Sequence, residues 1–182
     1  DCMSHAGTRR YLRENICGAE SRYCSFVYSF GEDSAKFYFE VNEREIISPF
    51  TCDNEDIWQG DVVEVFISPD GDLSKYYELE VSPFGVRFWG LIVNRDGHTP
   101  EITKRPPVFS AIAKRSSRGY SVEIVLAYSS ITGVDKQKIR FNAFCINTQK
   151  DGTQLLYALM PTLCDNFHRP SFFIHHDEEV SD

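Results

Sequence analysis

Between residues 26 and 159 the chain breaks into short runs in which apolar and polar residues alternate with a period of two. This is the pattern of strands that bury one face. The runs are 26–30, 36–41, 61–67, 76–82, 86–93, 109–114, 119–127, 139–147 and 154–159, and turn residues separate them. Gly31-Glu32-Asp33-Ser34, Pro69-Asp70-Gly71, Pro83-Phe84-Gly85, Asn94-Arg95-Asp96-Gly97, Ser116-Ser117-Arg118-Gly119 and Lys150-Asp151-Gly152 each supply the Gly, Pro, Asn or Asp that tight reversals need. One helical turn is expected at 128–131, ended by Gly133, and 97–107, with its three prolines, reads as a long connection. Many short strands with frequent turns describe an all-β fold, an antiparallel β-sandwich of immunoglobulin or jelly-roll type.

Alternation also assigns faces. Val63, Val65 and Ile67 fall on one side of their run, Val62, Glu64 and Phe66 on the other; in the next run Tyr77, Leu79 and Val81 oppose Tyr76, Glu78 and Glu80. Val63, Val65, Leu79, Val81, Val122, Ile124, Phe141 and Ala143 are the expected core. Glu64 and Glu80 lie on the less apolar face. Arg87, Trp89 and Leu91 share one side of the fifth run, and Arg140, Asn142 and Phe144 one side of the eighth. If these strands are neighbours, one sheet face carries carboxylates, guanidinium groups, an amide and aromatic rings. That mixture suits a pyranose, whose C–H faces pack on rings while its hydroxyls need charge-assisted partners.

Composition narrows the setting. The 182 residues, 42% hydrophobic, form one expected domain over 1–182, with 1–25 an N-terminal extension and 177–182 an acidic, frayed tail. A net charge of -8 without any basic cluster argues against nucleic acid or an anionic membrane as partner. The chain starts at Asp1, which leaves a removed leader or none at all open. An extracellular or periplasmic setting is expected over a cytoplasmic one. No spacing among the six cysteines selects a disulfide pairing, and Cys145, alternating with Ile139, Phe141 and Ala143, is expected as a buried free thiol. Asp53, Asn54, Glu55, Asp56, Asp61, Asp70 and Asp72 offer oxygen ligands, without the EF-hand pattern, so no cofactor is expected beyond an optional structural calcium. His175 and His176, as strand neighbours, are expected to point to opposite faces.

Trp58-Gln59-Gly60-Asp61-Val62-Val63-Glu64-Val65-Phe66 resembles the Trp-x-x-Asp-x-Val-Glu-x-Phe segment of family 9 carbohydrate-binding modules and the wider DOMON-like group of β-sandwiches. The likeness continues through 76–83, 119–124, 139–142 and Phe167-His168-Arg169-Pro170-Ser171-Phe172, covering the chain from about Phe26 onward. The resemblance implies a noncatalytic domain that binds a saccharide or glycan end. It implies that Trp58 forms half of an aromatic clamp, with Phe167 at the position of the other half, and that Glu64 bonds sugar hydroxyls. Three departures accompany it: Phe167 replaces a Trp, Glu80 falls where the family has a ligand-binding Arg, and Phe144 falls at a Gln-like position. With the face assignment, the expected site is Trp58, Glu64, Glu80, Arg87, Asn142, Phe144 and Phe167, with no catalytic residue and no metal ligand among them.

Competing readings use the same residues. Trp58 could plug the sandwich edge, Phe167 could pack on the Pro170 turn, and the charged residues could be cross-strand ion pairs on a solvated face. The alternative function is an accessory or protein-interaction domain of the same fold without sugar binding. A glycoside hydrolase using a pair from Glu64, Glu78 and Glu80 is a further alternative, though no nucleophile and base signature accompanies it. A haem domain is disfavoured, because Met3 and Met160 lack a ligand context. The sequence assigns neither the sugar nor the oligomeric state.

Overall fold

The alternating runs become strands in the computed structural model, which describes residues 7–178. In chain order these are β1 (Arg10–Tyr11), β2 (Arg13–Glu14), β3 (Cys24–Phe30), β4 (Ser34–Val41), β5 (Val62–Ser68), β6 (Lys75–Val81), β7 (Arg87–Val93), β8 (Glu101–Lys104), β9 (Ser110–Ser116), β10 (Gly119–Ala127), β11 (Arg140–Thr148), β12 (Gln154–Ala158) and β13 (Ile174–His175). They form two sheets, ordered β1-β3-β4-β10-β9 and β2-β12-β11-β5-β6-β7-β8, with β13 pairing β11. Every pairing described is antiparallel.

The expected core residues Val63, Val65, Leu79, Val81, Val122, Ile124, Phe141 and Ala143 all lie in one buried cluster between the sheets. Trp89 joins them, stacked on Tyr77 with ring centroids 4.9 Å apart. Cys145 is a buried free thiol, as expected, and Cys24 is a second one.

A second apolar layer covers the opposite face of the larger sheet. Val62, Phe66, Phe88, Phe144, Ile146, Phe167 and Phe173 belong to it. The alternation reads this face as the less apolar one, yet β5 is buried along its whole length, because the segment 161–173 folds back over the sheet.

Two regions depart from the sequence reading. The N-terminal segment read as an extension supplies β1 to the smaller sheet and β2 to the larger, with Leu12 fully buried between them. Within the stretch 97–107, read as a connection, Glu101–Lys104 pairs with β7 as an edge strand. Pro100 and Pro106 bracket this strand, and their missing N–H groups hold it to four residues. The turn 128–131 is a 3-10 turn over Tyr128–Ser130. The tail read as frayed lies outside the described residues from 179 on.

Asn15, just after β2, ties the N-terminus to the covering segment. Its Nδ2 donates to Thr162 Oγ1 and to the Cys164 carbonyl, both at 2.8 Å, and its Oδ1 accepts from the Thr162 N–H at 2.8 Å. Asn15 is fully buried. Asn15→Ala leaves those groups without partners and is expected to cost about 2 to 4 kcal/mol. The check is the shift in urea denaturation midpoint at constant m-value.

Candidate functional site

Antiparallel register builds the floor of a cavity from two adjacent rungs of the larger sheet. The first runs Phe144, Glu64, Glu80, Phe88, and the second runs Asn142, Phe66, Glu78, Gly90, Lys104. The rungs bring Glu64, Glu78 and Glu80 together on one face, with a ligand oxygen of each within 4.8 Å of the others. All three are buried, with exposures of 2%, 4% and 1%. Among the described residues, neither Glu78 Oε2 nor Glu80 Oε1 has a hydrogen-bond partner. Burial first, and then the neighbouring carboxylates, push Glu64 and Glu80 well above the usual carboxylate range.

The cavity above this floor has a volume of about 660 Å³. Phe66, Phe88, Ile146 and Leu156 rise from the sheet, Phe167 and His168 come from the covering segment, and Trp58, Ile16 and Ile102 stand at its edges. Those last three are exposed large apolar side chains, Trp58 at 44%. Asp56, Lys104, Gln154, Asp165 and Asn166 complete the lining.

Trp58 sits on the 3-10 turn Ile57–Gln59, anchored by fully buried Ile57. Its carbonyl accepts from Gln154 Nε2 at 2.8 Å. Behind it the chain passes so close to Ile47 that a Cβ at Gly60 would lie 2.7 Å from the Ile47 carbonyl oxygen. Asp61 then accepts the N–H groups of Ile47 and Thr148, both at 2.7 Å, while burial lifts its carboxyl to about 6. The Gly-Asp pair of the motif is thus structural, and it fixes the platform on which Trp58 stands.

His168 links the covering segment to the floor. It stacks on Phe66, ring centroids 4.5 Å apart, and its Nε2 lies 3.5 Å from Glu78 Oε1. Nδ1 meets the Tyr76 hydroxyl at 2.7 Å, and that hydroxyl also accepts from Asn94 Nδ2 at 3.1 Å. Nδ1 thus faces the Tyr76 hydroxyl while Nε2 faces Glu78.

Of the residues expected from sequence, Trp58, Glu64, Glu80 and Phe167 line the cavity. Phe167 is only 8% exposed and stacks on Phe144 at 4.2 Å. Phe144 itself is fully buried and supports Phe167 from behind. Asn142 is also fully buried, and its amide exchanges hydrogen bonds with the Met160 backbone at 2.9 and 3.0 Å. Arg87 belongs to the other face: the register pairs it with Val81, so Phe88 and not Arg87 stands beside Glu80. The Arg87 guanidinium bonds Asp53 at 3.0 Å and the Phe109 carbonyl at 2.7 Å.

Glu78, His168, Lys104, Phe66 and Phe88 complete the site without having been among the expected binding residues. The alternation places Glu78 beside Glu80, and His168 follows Phe167 in sequence, so both carried a signal. Lys104 carried none, since its strand lies between prolines.

The acidic loops considered for calcium have other partners. Asp53 bonds Arg87, Asp56 accepts from Lys104 at 3.0 Å, Asp61 takes two backbone N–H groups, and Asp72 accepts from Ser74. His175 and His176 do not splay apart as strand neighbours would; β13 ends at His175, and the two rings lie 4.5 Å apart.

The fold recurs in solved structures. A Bacteroides uniformis structure superposes with a TM-score of 0.70 at 17% identity, over 91% of this chain and 84% of that one. A family 9 carbohydrate-binding module from Caldicellulosiruptor kristjanssonii, in complex with glucose, gives 0.63 at 15% identity, over 89% and 80%. One from the same organism in complex with cellotriose gives 0.65 at 15% identity, over 95% and 83%. In sequence, the chain is 28% identical over 158 residues to a protein of Arthroderma benhamiae named an extracellular protein, covering 78% of this chain and 68% of that one. The model of the family described as carbohydrate family 9 binding domain-like matches residues 33–172, and the chain belongs to that family.

Proposed function

We propose that the cavity on the outer face of the larger sheet binds a saccharide or glycan end without acting on it chemically. The observation that carries this reading is the joining of aromatic walls to buried carboxylate oxygens that lack partners. A pyranose supplies what the cavity lacks: hydroxyl donors for Glu78 and Glu80, and C–H faces for Trp58 and Phe167. The structures bound to glucose and cellotriose in the same fold support this assignment.

The placement of the carboxylates favours binding over hydrolysis. A glycosidase uses two carboxyl groups that flank the scissile bond. Here Glu64, Glu78 and Glu80 all stand on one face of one sheet, so they grip a ligand from one side. The Arthroderma benhamiae relative, named an extracellular protein, supports a secreted setting for this domain. No helix among the described residues is long and apolar enough to cross a membrane.

Trp58→Ala is expected to abolish binding while costing less than about 1 kcal/mol of stability, since the ring is an exposed platform. Phe167→Ala is expected to weaken binding and also to cost about 3 kcal/mol, since that ring is packed on Phe144. Calorimetric titration with glucose and cellotriose, paired with thermal melts, tests both. A parent protein that binds no saccharide would leave the accessory-domain alternative in place.

The carboxylate floor destabilises the fold for the sake of the site. Because Glu64 and Glu80 hold protons more tightly folded than unfolded, their contribution is fullest below about pH 4 and is lost as pH rises into the neutral range. Glu80→Gln removes one like charge and adds an amide donor. It is expected to raise stability at about pH 7, on the order of 1 kcal/mol, with the gain shrinking toward about pH 4. Denaturation midpoints of both proteins across that range check the sign.

A further inference from the structure

We infer that the cavity selects a cationic amino sugar, seating the ammonium of a glucosamine-type unit over Glu64, Glu78 and Glu80. This rests on the saccharide reading and deepens it to a substrate class. Five carboxylates line the cavity, those of Asp56, Glu64, Glu78, Glu80 and Asp165, against one lysine, one histidine and no arginine. The lysine offsets the floor only in part: Lys104 Nζ donates to Asp56 Oδ1 at 3.0 Å and to the Asn54 carbonyl at 2.8 Å, and its charge acts on Glu80 less than those of Glu64, Glu78 and Asp56 do. His168 reaches one oxygen of Glu78 at 3.5 Å, while the other oxygen of Glu78 and one of Glu80 have no partner.

An ammonium group carries three donors and a full positive charge, and it fits between carboxylate oxygens that lie within 4.8 Å of one another. A neutral hydroxyl offers one donor and leaves the mutual repulsion in place. A bare metal ion would meet the same oxygens, but it would leave a cavity of about 660 Å³, walled by Trp58, Ile146, Leu156 and Phe167, without an occupant. A sugar ring bearing the charge fills both parts. Burial and mutual repulsion hold Glu64 and Glu80 toward the protonated state in the empty cavity, and a bound cation reverses the second cause.

The experiment is calorimetric titration at about pH 6, where an alkyl ammonium is charged, with three disaccharides of matched shape. They are the glucosamine dimer, cellobiose, and the N-acetylated glucosamine dimer. The glucosamine dimer is expected to bind about tenfold or more tighter than cellobiose, with the acetylated dimer weakest. Glu80→Gln, and separately Glu78→Gln, should erase the preference while melts confirm folding. Cellobiose binding as well as the amine or better overturns amino-sugar selection and leaves the saccharide reading standing, whereas no binding of any disaccharide sinks both. A parallel titration with calcium chloride alone separates the remaining source: calcium binding that both glutamate variants abolish assigns the floor to a metal ion and overturns the proposal.

Discussion

The structure depends on one register. Pairing Val62–Ser68 with Lys75–Val81 so that Glu64 faces Glu80, and Phe66 faces Glu78, fixes both sides of the sheet at once. On the inner side it aligns Val63 with Val81 and Val65 with Leu79, in the core. On the outer side it stacks carboxylates directly across the strands, an arrangement that repels itself and that a solvated sheet would relax into water. A slip of Lys75–Val81 by one residue would exchange its two sets and place two carboxylates, Glu78 and Glu80, between the sheets. The apolar face therefore enforces the unfavourable one.

What holds the carboxylates out of water is the second apolar layer. Phe167 and Phe173 close over the sheet onto Phe144 and Phe66, and the covering segment is pinned at its start by Asn15 and at His168 by the Tyr76 and Asn94 contacts. Both anchors are hydrogen-bond clusters in buried surroundings, where a missing partner weighs more than the bond itself contributes. The same layer supplies the walls of the cavity, so covering the sheet and shaping the site are one act of packing.

The sandwich was legible because alternation is local: nine runs carry it, and each became a strand within a few residues of its expected bounds. Glu64, Glu80 and Trp58 were legible for the same reason, helped by the motif around them. Arg87 was not, because alternation within a strand says which residues share a face but not which face meets the neighbouring strand. That is decided by the turn, where Ser82 N–H reaches the Val86 carbonyl at 2.9 Å and its Oγ accepts the Val86 N–H at 3.1 Å, setting Val81 against Arg87. Asn142 and Phe144 were placed on the correct face, yet their burial depends on the path of residues 160–173, which no periodic signal encodes. Asn15 lay in a segment too short and irregular to read as structure, and its partners are 147 residues away.

The edge strand Glu101–Lys104 carries a further implication. All four of its residues are exposed, its only sheet neighbour among the described residues is β7, and proline-interrupted chain precedes and follows it. The prolines and charges discourage another chain from adding itself to this edge. Such a strand opens locally at a small fraction of the free energy that parting the two sheets would require. Since Ile102 and Lys104 line one side of the cavity, that side rests on the edge of the larger sheet, while the carboxylate floor sits on β5 and β6 in its interior.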